Sequence, residues 1–324
     1  MKKILITGGA GYIGSHVTEV LVENKKKIFI IDNLSTGFKK LINKKAKFYK
    51  TNILDTEKIK KIIITNKIDS VIHLAGSLII SIGEKQPKQY NKNNVLGTRS
   101  VLLACKNTSV KNFIFSSTAA VYKDNQKIVN EKSKIQPKSV YGKTKIKAEK
   151  LIISNCKKLK INYAILRYFN VCGASPTGKI GPISNKGSLF KNISVSLMKK
   201  KPTIEIYGNN YNTPDGTTIR DYIHVSDLAD IHYKILQKIC NGNKSYIVNC
   251  GYHRGTSVKE AVNEFIKQSK KKIKISYRKR RAGDLAVVIA NNKKLKTTIN
   301  WTPKYYRLST IVKSCIQWEK IMRR

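Results

Sequence analysis

The sequence contains few acidic residues: 19 Asp and Glu stand against 64 Lys and Arg in 324 residues, a formal net charge of +45. One interpretation is a basic surface that binds nucleic acid or an anionic membrane. The other is an enrichment of lysine by composition alone. Lysines occur in short groups along the whole chain, such as 25–27, 199–201 and 270–272. This dispersion favours the compositional interpretation, so a nucleic-acid partner is not expected.

Long apolar runs are also missing. No run approaches the ~18–20 residues that a membrane-spanning helix needs, so no membrane association is expected. The first apolar run is interrupted at Gly8, which is too early for a secretory signal. The six cysteines are scattered and include no Cys-x-x-Cys pair, so neither a disulfide framework nor a zinc site is expected. These absences fit a cytoplasmic protein without a bound metal.

The clearest feature that is present is a glycine-rich turn between a short apolar strand, residues 4–6, and a helical stretch of about residues 11–23. Its three glycines are Gly8, Gly11 and Gly14. They permit a tight turn, close approach of the backbone to a phosphate, and close packing of the helix on the sheet. A second strand, residues 28–31, ends at Asp32, whose carboxylate can bind both ribose hydroxyls of an adenosine and would repel a 2′-phosphate. The spacing therefore predicts NAD rather than NADP as the cofactor.

Strand-like and helix-like segments alternate along the chain, which predicts an α/β fold with a Rossmann-like, doubly wound parallel sheet. We expect an NAD-binding domain over residues 1–167, with elements near 221–250 returning to its sheet. Residues 168–324 are expected to form mainly a smaller α/β substrate-binding lobe. The pattern also predicts one long helix over about 87–106 and a loop over 173–187.

Tyr141 and Lys145 are four residues apart in a predicted helix, so both side chains lie on one face. A phenol has a pKa of about 10 and is a weak base at neutral pH. A lysine ammonium ~4 Å away would stabilise the phenolate by roughly 4 kcal/mol at an effective dielectric constant of ~20, or about three pKa units before burial opposes it. Tyr141 is thus predicted to take a proton from an alcohol while hydride leaves the same carbon. Thr118, which ends another predicted strand, can bind the same oxygen.

Several motifs resemble those of known enzymes. Residues 8–16, 32–37, 117–122 and 141–145 are similar to the motifs of extended short-chain dehydrogenases/reductases. Residues 166–171, 213–230 and 280–284 narrow the resemblance to the UDP-glucose 4-epimerase family. The resemblance extends over about residues 2–319, and the block 215–230 is its most specific part.

The resemblance implies an isomerase with tightly held NAD⁺. The resemblance implies that C4 of a UDP-hexose is oxidised with Tyr141 as the base. The 4-keto intermediate then presents its other face, and hydride returns to C4. The net reaction interconverts UDP-glucose and UDP-galactose. A homodimer through the helices at about 87–106 and 141–159 is also implied. The implied cofactor contacts are Gly8, Gly11, Tyr12, Ile13 and Gly14 at the pyrophosphate, Asp32, Asn33, Ser35, Asn52 and Ile53 around the adenosine, and Leu74, Ala75, Gly76, Asn93, Ser116, Tyr141, Lys145 and Tyr168 elsewhere.

The implied substrate contacts are Thr118, Tyr141, Asn170, Ser188, Leu189, Tyr207, Arg220, Arg281, Asp284 and Val288. The arginines also have a physical reason of their own, because a planar guanidinium matches a pyrophosphate. The alternatives are an ion pair of Arg220 with Asp221 or Asp230, and a surface role for Arg281. Val288 stands where some family members carry a bulky aromatic residue, so UDP-N-acetylglucosamine is an expected further substrate.

Three other activities are alternatives to this one. A nucleotide-sugar 4,6-dehydratase would place acids directly after Thr118, where this chain has Ala119 and Ala120, so dehydration is disfavoured. A UDP-glucuronate epimerase or decarboxylase stays open, because Lys179 or Lys186 could bind a sugar carboxylate. A nucleotide- or RNA-binding module without catalysis would suit the basic charge but not the intact catalytic motif.

Overall fold

The computed structural model describes residues 2–123, 127–184, 188–242, 244–281 and 284–323. Its strands are β1 (Lys3–Thr7), β2 (Lys27–Asp32), β3 (Lys47–Lys50), β4 (Ser70–His73), β5 (Asn112–Thr118), β6 (Ile128–Val129), β7 (Asn162–Tyr168), β8 (Asn170–Cys172), β9 (Thr203–Tyr207), β10 (Ile219–His224), β11 (Tyr246–Cys250), β12 (Gly255–Ser257), β13 (Lys274–Arg278) and β14 (Val287–Ala290). Its α-helices are α1 (Tyr12–Glu23), α2 (Thr56–Asn66), α3 (Ile80–Lys85), α4 (Pro87–Asn91), α5 (Gly97–Ala104), α6 (Val140–Leu159), α7 (Leu189–Leu197), α8 (Val225–Gly242), α9 (Val258–Ser269), α10 (Lys293–Ile299) and α11 (Leu308–Ile321). None of the helices in these ranges is long and apolar enough to cross a membrane.

The largest sheet has seven strands in the order β11-β7-β5-β4-β1-β2-β3. From β7 to β3, each neighbouring pair is parallel. The order of the strands reverses between β1 and β4, and ligands of open α/β sheets bind at the carboxyl ends of strands at such a point. Helices cover the sheet, and the core joins Leu5 and Phe113 of the strands to Ile59, Val101 and Ile152 of α2, α5 and α6. The predicted doubly wound parallel sheet is therefore confirmed.

The chain forms two compact units. The first consists of residues 1–123, 134–168 and 229–248, and it contains most of the seven-stranded sheet. The second consists of residues 124–133, 169–228 and 249–324. In the second unit, β12-β10-β14-β6 form one sheet with β8 beside β10, and β13 pairs with β9. Its core is separate and includes Phe190, Phe265 and Val312.

The predicted long helix over 87–106 is wrong in one respect, because it is not continuous. A π-helical turn, Lys92–Leu96, lies between α4 and α5. Such a wide turn changes the hydrogen-bonding register while it keeps the helical direction, so the apolar pattern of the sequence did not show it. The predicted loop contains no helix or strand over residues 173–184, and residues 185–187 lie outside the described ranges.

Candidate active site

The turn after β1 has the geometry that a diphosphate needs. Gly8 has a φ of +71°, which glycine adopts without strain, and its N–H donates to the carbonyl oxygen of Ile31 at 2.9 Å. A Cβ at Gly14 would lie 2.3 Å from the carbonyl oxygen of Gly8, so α1 packs directly on the turn. A Cβ at Gly11 would meet only that oxygen, at 3.2 Å. The backbone is thus approachable at Gly11, and α1 has no acidic residue in its first turn to repel an anion. The turn and the start of α1 contain the five predicted pyrophosphate contacts, Gly8, Gly11, Tyr12, Ile13 and Gly14.

Asp32 ends β2 beside this turn. Its Oδ2 accepts a hydrogen bond from the N–H of Ala10 at 3.1 Å, and its Oδ1 accepts one from the N–H of Leu34 at 2.8 Å. The carboxylate is therefore fixed, and each oxygen retains capacity for a ribose hydroxyl. In the next turn, Oδ1 of Asn33 accepts from the N–H and the hydroxyl of Ser35 at 3.0 and 2.8 Å. A glycine turn, a helix N-terminus and a fixed carboxylate on the adjacent strand fit an NAD molecule.

The loop after β4 lies against the glycine turn. The N–H groups of Leu74 and Ala75 donate to the carbonyl oxygen and the hydroxyl of Thr7, at 3.1 and 3.2 Å. A Cβ at Gly8 would lie 2.8 Å from the nitrogen of Ala75. The predicted contacts in this loop are therefore adjacent to the predicted phosphate site.

Asn94, in the π-helical turn, fixes the same loop, and sequence analysis missed it. Its Oδ1 accepts from the N–H of Ser77 at 2.7 Å, and its Nδ2 donates to the carbonyl oxygen of Ser77 at 3.0 Å and to the hydroxyl of Thr144 at 2.9 Å. A Cβ at Gly76 would lie 2.9 Å from Asn94 Oδ1. The neighbouring Asn93, a predicted cofactor contact, is partly exposed and donates to the hydroxyl of Ser77 at 2.9 Å. Asn94 is thus the buried member of the pair.

Two predicted adenosine contacts lie in the loop after β3. Asn52 is exposed, and its Oδ1 accepts from the N–H of Leu54 at 3.0 Å. Ile53 packs on the start of α5, where a Cβ at Gly97 would lie 2.5 Å from its Cδ1. Their contact with the cofactor stays a prediction.

The start of α6 brings Tyr141 to Thr118. The hydroxyl of Ser139 caps the helix and accepts from the N–H of Gly142 at 3.1 Å. A Cβ at Gly142 would lie 2.3 Å from the carbonyl oxygen of Ala120, so the first turn of α6 approaches the segment after β5 very closely. The Thr118 side chain lies close enough to the Tyr141 phenol to act on its pKa. Two of the three predicted catalytic residues therefore meet at the carboxyl end of β5.

The pKa values of Tyr141 and Lys145 differ from the sequence-based expectation. Burial raises the pKa of Tyr141 to about 12, opposed by the side chain of Thr118 and reinforced by Tyr90. Burial lowers the pKa of Lys145 to about 7, opposed by the charge of Glu149. The predicted lowering of the tyrosine pKa is thus wrong for the protein itself, because desolvation outweighs the opposing effect of Thr118.

Three predicted site residues lie at the carboxyl ends of β5 and β7. Thr118 and Tyr168 are register partners on these adjacent strands. The hydroxyl of Tyr168 is 2.6 Å from Nε2 of His232, and both residues are buried. Ser116 donates to the carbonyl oxygen of His73 at 3.3 Å. Tyr168 is therefore held in place by a partner that sequence analysis did not identify.

Replacing Lys145 with Met should stabilise the fold by on the order of 2 kcal/mol at pH 7. The unfolded chain keeps the lysine proton up to about pH 10.5 and the folded protein only up to about pH 7, so wild-type stability should rise with pH between these values. The variant lacks this dependence on pH. The difference in the free energy of unfolding between the variant and the wild type should therefore be smaller at about pH 9.5 than at pH 7. Denaturant unfolding at both pH values measures the difference, with Lys147→Met on the exposed side of α6 as the control. A variant no more stable than wild type at pH 7 contradicts the expected lysine pKa.

The second unit brings several predicted substrate contacts together. A guanidinium nitrogen of Arg220, on β10, lies 3.6 Å from Oδ1 of Asp284. Arg220 is also the register partner of Val288 on β14. The guanidinium of Arg281 stacks on the ring of Tyr207 at 3.8 Å. These two arginines are thus oriented by side chains of the predicted set.

Neither acid considered as an alternative partner binds Arg220. Asp221 instead accepts from the N–H of Tyr252 at 2.8 Å, and Asp230 pairs with Lys234 at 3.3 Å. The sequence-based alternative for Arg220 is therefore wrong.

The remaining predicted substrate contacts are spread over the second unit. Asn170 is exposed and begins β8. Ser188 precedes α7 without capping it through its side chain, and Leu189 is the first residue of that helix. Lys179 lies in the described part of the preceding loop, whereas Lys186 lies outside the described residues.

A doubly wound sheet with a glycine turn after β1, and Thr118 and Tyr141 at the carboxyl end of β5, are features that resemble those of extended short-chain dehydrogenases/reductases. Residues 4–251 match the NAD dependent epimerase/dehydratase family. The chain belongs to this family.

Full-length relatives are known. The UDP-glucose 4-epimerase of Azospirillum brasilense is 36% identical over 320 residues, which cover 98% of this chain and 92% of that protein. A crystal structure of a UDP-glucose 4-epimerase superimposes with a TM-score of 0.95 at 36% identity, and the match covers 100% of this chain and 99% of that one. The UDP-Glc/GlcNAc 4-epimerase of Campylobacter jejuni superimposes with a TM-score of 0.86 at 35% identity, with 99% and 100% covered.

Proposed function

We propose that this chain is an NAD-dependent epimerase that interconverts UDP-glucose and UDP-galactose. The observation that carries the proposal is the close packing of the first turn of α6 on the segment after β5, which brings Tyr141 to Thr118 at the carboxyl edge of the sheet. Gly8 and Asp32, at the same ends of β1 and β2, fit the cofactor at that edge. The full-length similarity to UDP-glucose 4-epimerases supports the same activity.

In this proposal the side chains of the chain hold the sugar C4 hydroxyl and move its proton. Thr118 and Tyr141 bind the C4 oxygen, and the Tyr141 phenolate removes the proton while the Lys145 ammonium stabilises the negative charge. Bound NAD would supply the hydride acceptor for C4 and the hydride that restores it on the opposite face. Tyr141 then returns the proton, so C4 is inverted without net oxidation.

We assign the nucleotide part of the substrate to the second unit. Arg220 and Arg281 present guanidinium groups, which bind diphosphate oxygens in a bidentate manner. Asp284 orients Arg220 through their ion pair, and Tyr207 orients Arg281 through stacking. Asn170 adds an exposed amide.

An assay on a panel of UDP-sugars tests the proposed function. Purified protein is incubated with UDP-galactose, UDP-N-acetylglucosamine or UDP-glucuronate, and the products are identified by chromatography. The cofactor released on denaturation is identified by mass spectrometry. We expect UDP-glucose from UDP-galactose, and NAD in the released fraction. Conversion of UDP-glucuronate alone would overturn the substrate assignment and would favour a carboxylate-binding role for Lys179.

We further propose UDP-N-acetylglucosamine as a second substrate. Val288 is small, partly buried and opposite Arg220, so it leaves space beside the sugar. The named activity of the Campylobacter relative includes both sugars. Val288→Tyr should lower kcat/KM for the acetylated sugar at least ~30-fold and for UDP-glucose less than ~3-fold, since the larger ring fills this space.

Val288→Ile is the matched control, because it keeps a β-branched side chain of similar size and should retain both activities. A wild-type kcat/KM for the acetylated sugar more than about a hundredfold below that for UDP-glucose would contradict the proposal.

We also propose a homodimer formed through α4, α5 and α6. Leu96 ends the π-helical turn and Leu103 lies on α5, and each is 44% exposed. Apolar side chains that are exposed together on one helix favour burial against a second copy. Sedimentation velocity measures the assembly, and a single species at the monomer mass of 36.7 kDa would contradict it.

We place this activity in the cytoplasm and in galactose metabolism, because UDP-glucose and UDP-galactose are the proposed reactants. The net charge of +45 has no assigned role in this proposal. Salt-sensitive binding of RNA by the purified protein would reopen that question.

A further inference from the structure

A buried ion pair lies one helical turn beyond Lys145 on α6. Glu149 and Arg167 are 1% and 2% exposed. Arg167 donates to the two carboxylate oxygens of Glu149 through Nε at 3.0 Å and a terminal nitrogen at 2.7 Å. Glu149 also accepts from the hydroxyl of Ser117 at 2.5 Å, and Arg167 donates to the hydroxyl of Tyr122 at 3.1 Å. Helix α6 is therefore fixed to β5 and β7 at one point.

This cluster is adjacent to the reactive side chains on two elements. Ser117 immediately precedes Thr118 on β5. Glu149 is one helical turn after Lys145 on α6, which places their side chains on the same face. The charge of Glu149 acts on Lys145. The lysine ammonium itself lies over the ring of Phe115, 4.2 Å from its centre.

The other ionisable groups that act on Lys145, Tyr141 or Glu149 supply no negative charge at neutral pH. Burial and the charge of Lys145 lower the pKa of His73, on β4, to about 3, so its imidazole is neutral. Burial raises the pKa of Tyr90, on α4, so its phenol is neutral. Glu149 raises the pKa of Arg167, on β7, above its usual value despite burial, so its guanidinium is cationic. Among the groups that act on Lys145 in the described ranges, Glu149 is thus the counter-charge.

We propose that Glu149, held by Arg167 and Ser117, is a positioning residue that keeps Lys145 charged and aligned for its action on Tyr141. This inference rests on the proposed epimerase function, because the readout of alignment is proton transfer at the sugar.

The proposal has a specific pH signature. In the proposed mechanism, the active form of Tyr141 and Lys145 is a phenolate with an ammonium, so the two groups together hold one proton. The inactive form with the same charge is a phenol beside an amine. Among molecules that hold one proton, the fraction with the phenolate and the ammonium is the active one. This fraction falls about tenfold for each pH unit by which the pKa of Lys145 is lowered. At low pH both groups are protonated, and the rate depends on ionisation of Tyr141 beside a charged lysine, which Glu149 does not assist. Loss of Glu149 should therefore matter at high pH and not at low pH.

Glu149→Gln removes the charge and keeps an oxygen for Ser117. We expect kcat/KM for UDP-galactose to fall about tenfold at about pH 8.5 and to stay within ~2-fold of wild type near pH 6. The apparent pKa on the acid side of the kcat/KM profile should fall by about one pH unit. Glu57→Gln, at an exposed acid on α2, is the control for loss of one negative charge and should keep the wild-type profile. A uniform fall at all pH values would overturn the proposal, since a purely structural role predicts it.

A second readout does not depend on activity. The Lys145 Cε signal of the NAD-loaded, ¹³C-lysine-labelled protein is assigned from the Lys145→Arg spectrum and titrated by NMR. We expect its pKa to be lower by about one unit in Glu149→Gln, and an unchanged pKa would overturn the proposal. If the wild type does not convert UDP-sugars, the proposed function fails, and the titration still decides the role of Glu149. If Glu149→Gln does not fold, the variant that also carries Arg167→Met leaves no unpaired buried charge and is judged by the same titration.

Discussion

Tyr141→Phe should lower kcat for epimerisation at least ~10³-fold while the protein stays folded and binds NAD. The change removes the proton acceptor beside Thr118. Positioned acid–base groups contribute about 10²–10⁴-fold to rates. The ring remains half-buried at the start of α6, so the free energy of unfolding should change by about 1 kcal/mol or less. Product formation from UDP-galactose, the cofactor content and the denaturation midpoint are measured on one preparation.

Tyr163→Phe is the matched control for this change. Tyr163 is a partly buried tyrosine near the amino end of β7, away from the carboxyl ends where the site residues lie. It should keep the wild-type rate. If Tyr141→Phe also keeps the wild-type rate, another group removes the proton and the assigned chemistry is wrong.

Alanine at two glycines of the same turn should have opposite consequences. At Gly14, a Cβ would lie 2.3 Å from the oxygen of Gly8 and 2.8 Å from Cα of Gly9. Because backbone atoms cannot yield as a side chain can, Gly14→Ala should destabilise the fold by about 2–4 kcal/mol. At Gly11, the added methyl group would point into open space, and its one neighbour would be the carbonyl oxygen of Gly8 at 3.2 Å. Gly11→Ala should therefore lower stability by less than ~1 kcal/mol but weaken NAD binding at least ~10-fold, because the methyl fills the expected pyrophosphate position.

Denaturant unfolding without NAD and calorimetric titration with NAD separate the two effects. Wild-type NAD affinity in Gly11→Ala would show that the pyrophosphate does not approach this residue. Wild-type stability in Gly14→Ala would show that α1 does not pack on the turn as closely as described.

The central strands could be predicted from the sequence because they are buried on both faces. Such strands appear as short, continuous apolar runs, as in β1 and β2. The predicted strand at 246–250 is confirmed as β11, which lies at the edge of the sheet. By contrast, β6 and β8 contain two and three residues and are defined by partners far along the chain. The pairing of Ile128 with Ile289 has no local signal that a periodicity analysis could detect.

In the site as well, features set by residues close in sequence could be predicted, and features set by contacts between distant residues could not. Tyr141 and Lys145 were identifiable because the spacing within one helix places them together. Glu149 has the same spacing from Lys145, but its role depends on Arg167, which lies on a different strand. The pKa of Tyr141 was predicted in the wrong direction because the extent of burial is a property of the whole fold.

The position of β11 in the sheet has a consequence for how the protein is made. Tyr246 is the first residue of β11, and its neighbour β7 ends at Tyr168, long before it in the sequence. While a ribosome synthesises the intervening stretch, β7 is already complete but has no neighbour on its outer side. An unpaired strand edge readily recruits another chain. The nascent polypeptide is thus most vulnerable to aggregation during that interval, and a gene truncated after codon 168 would make this exposure permanent.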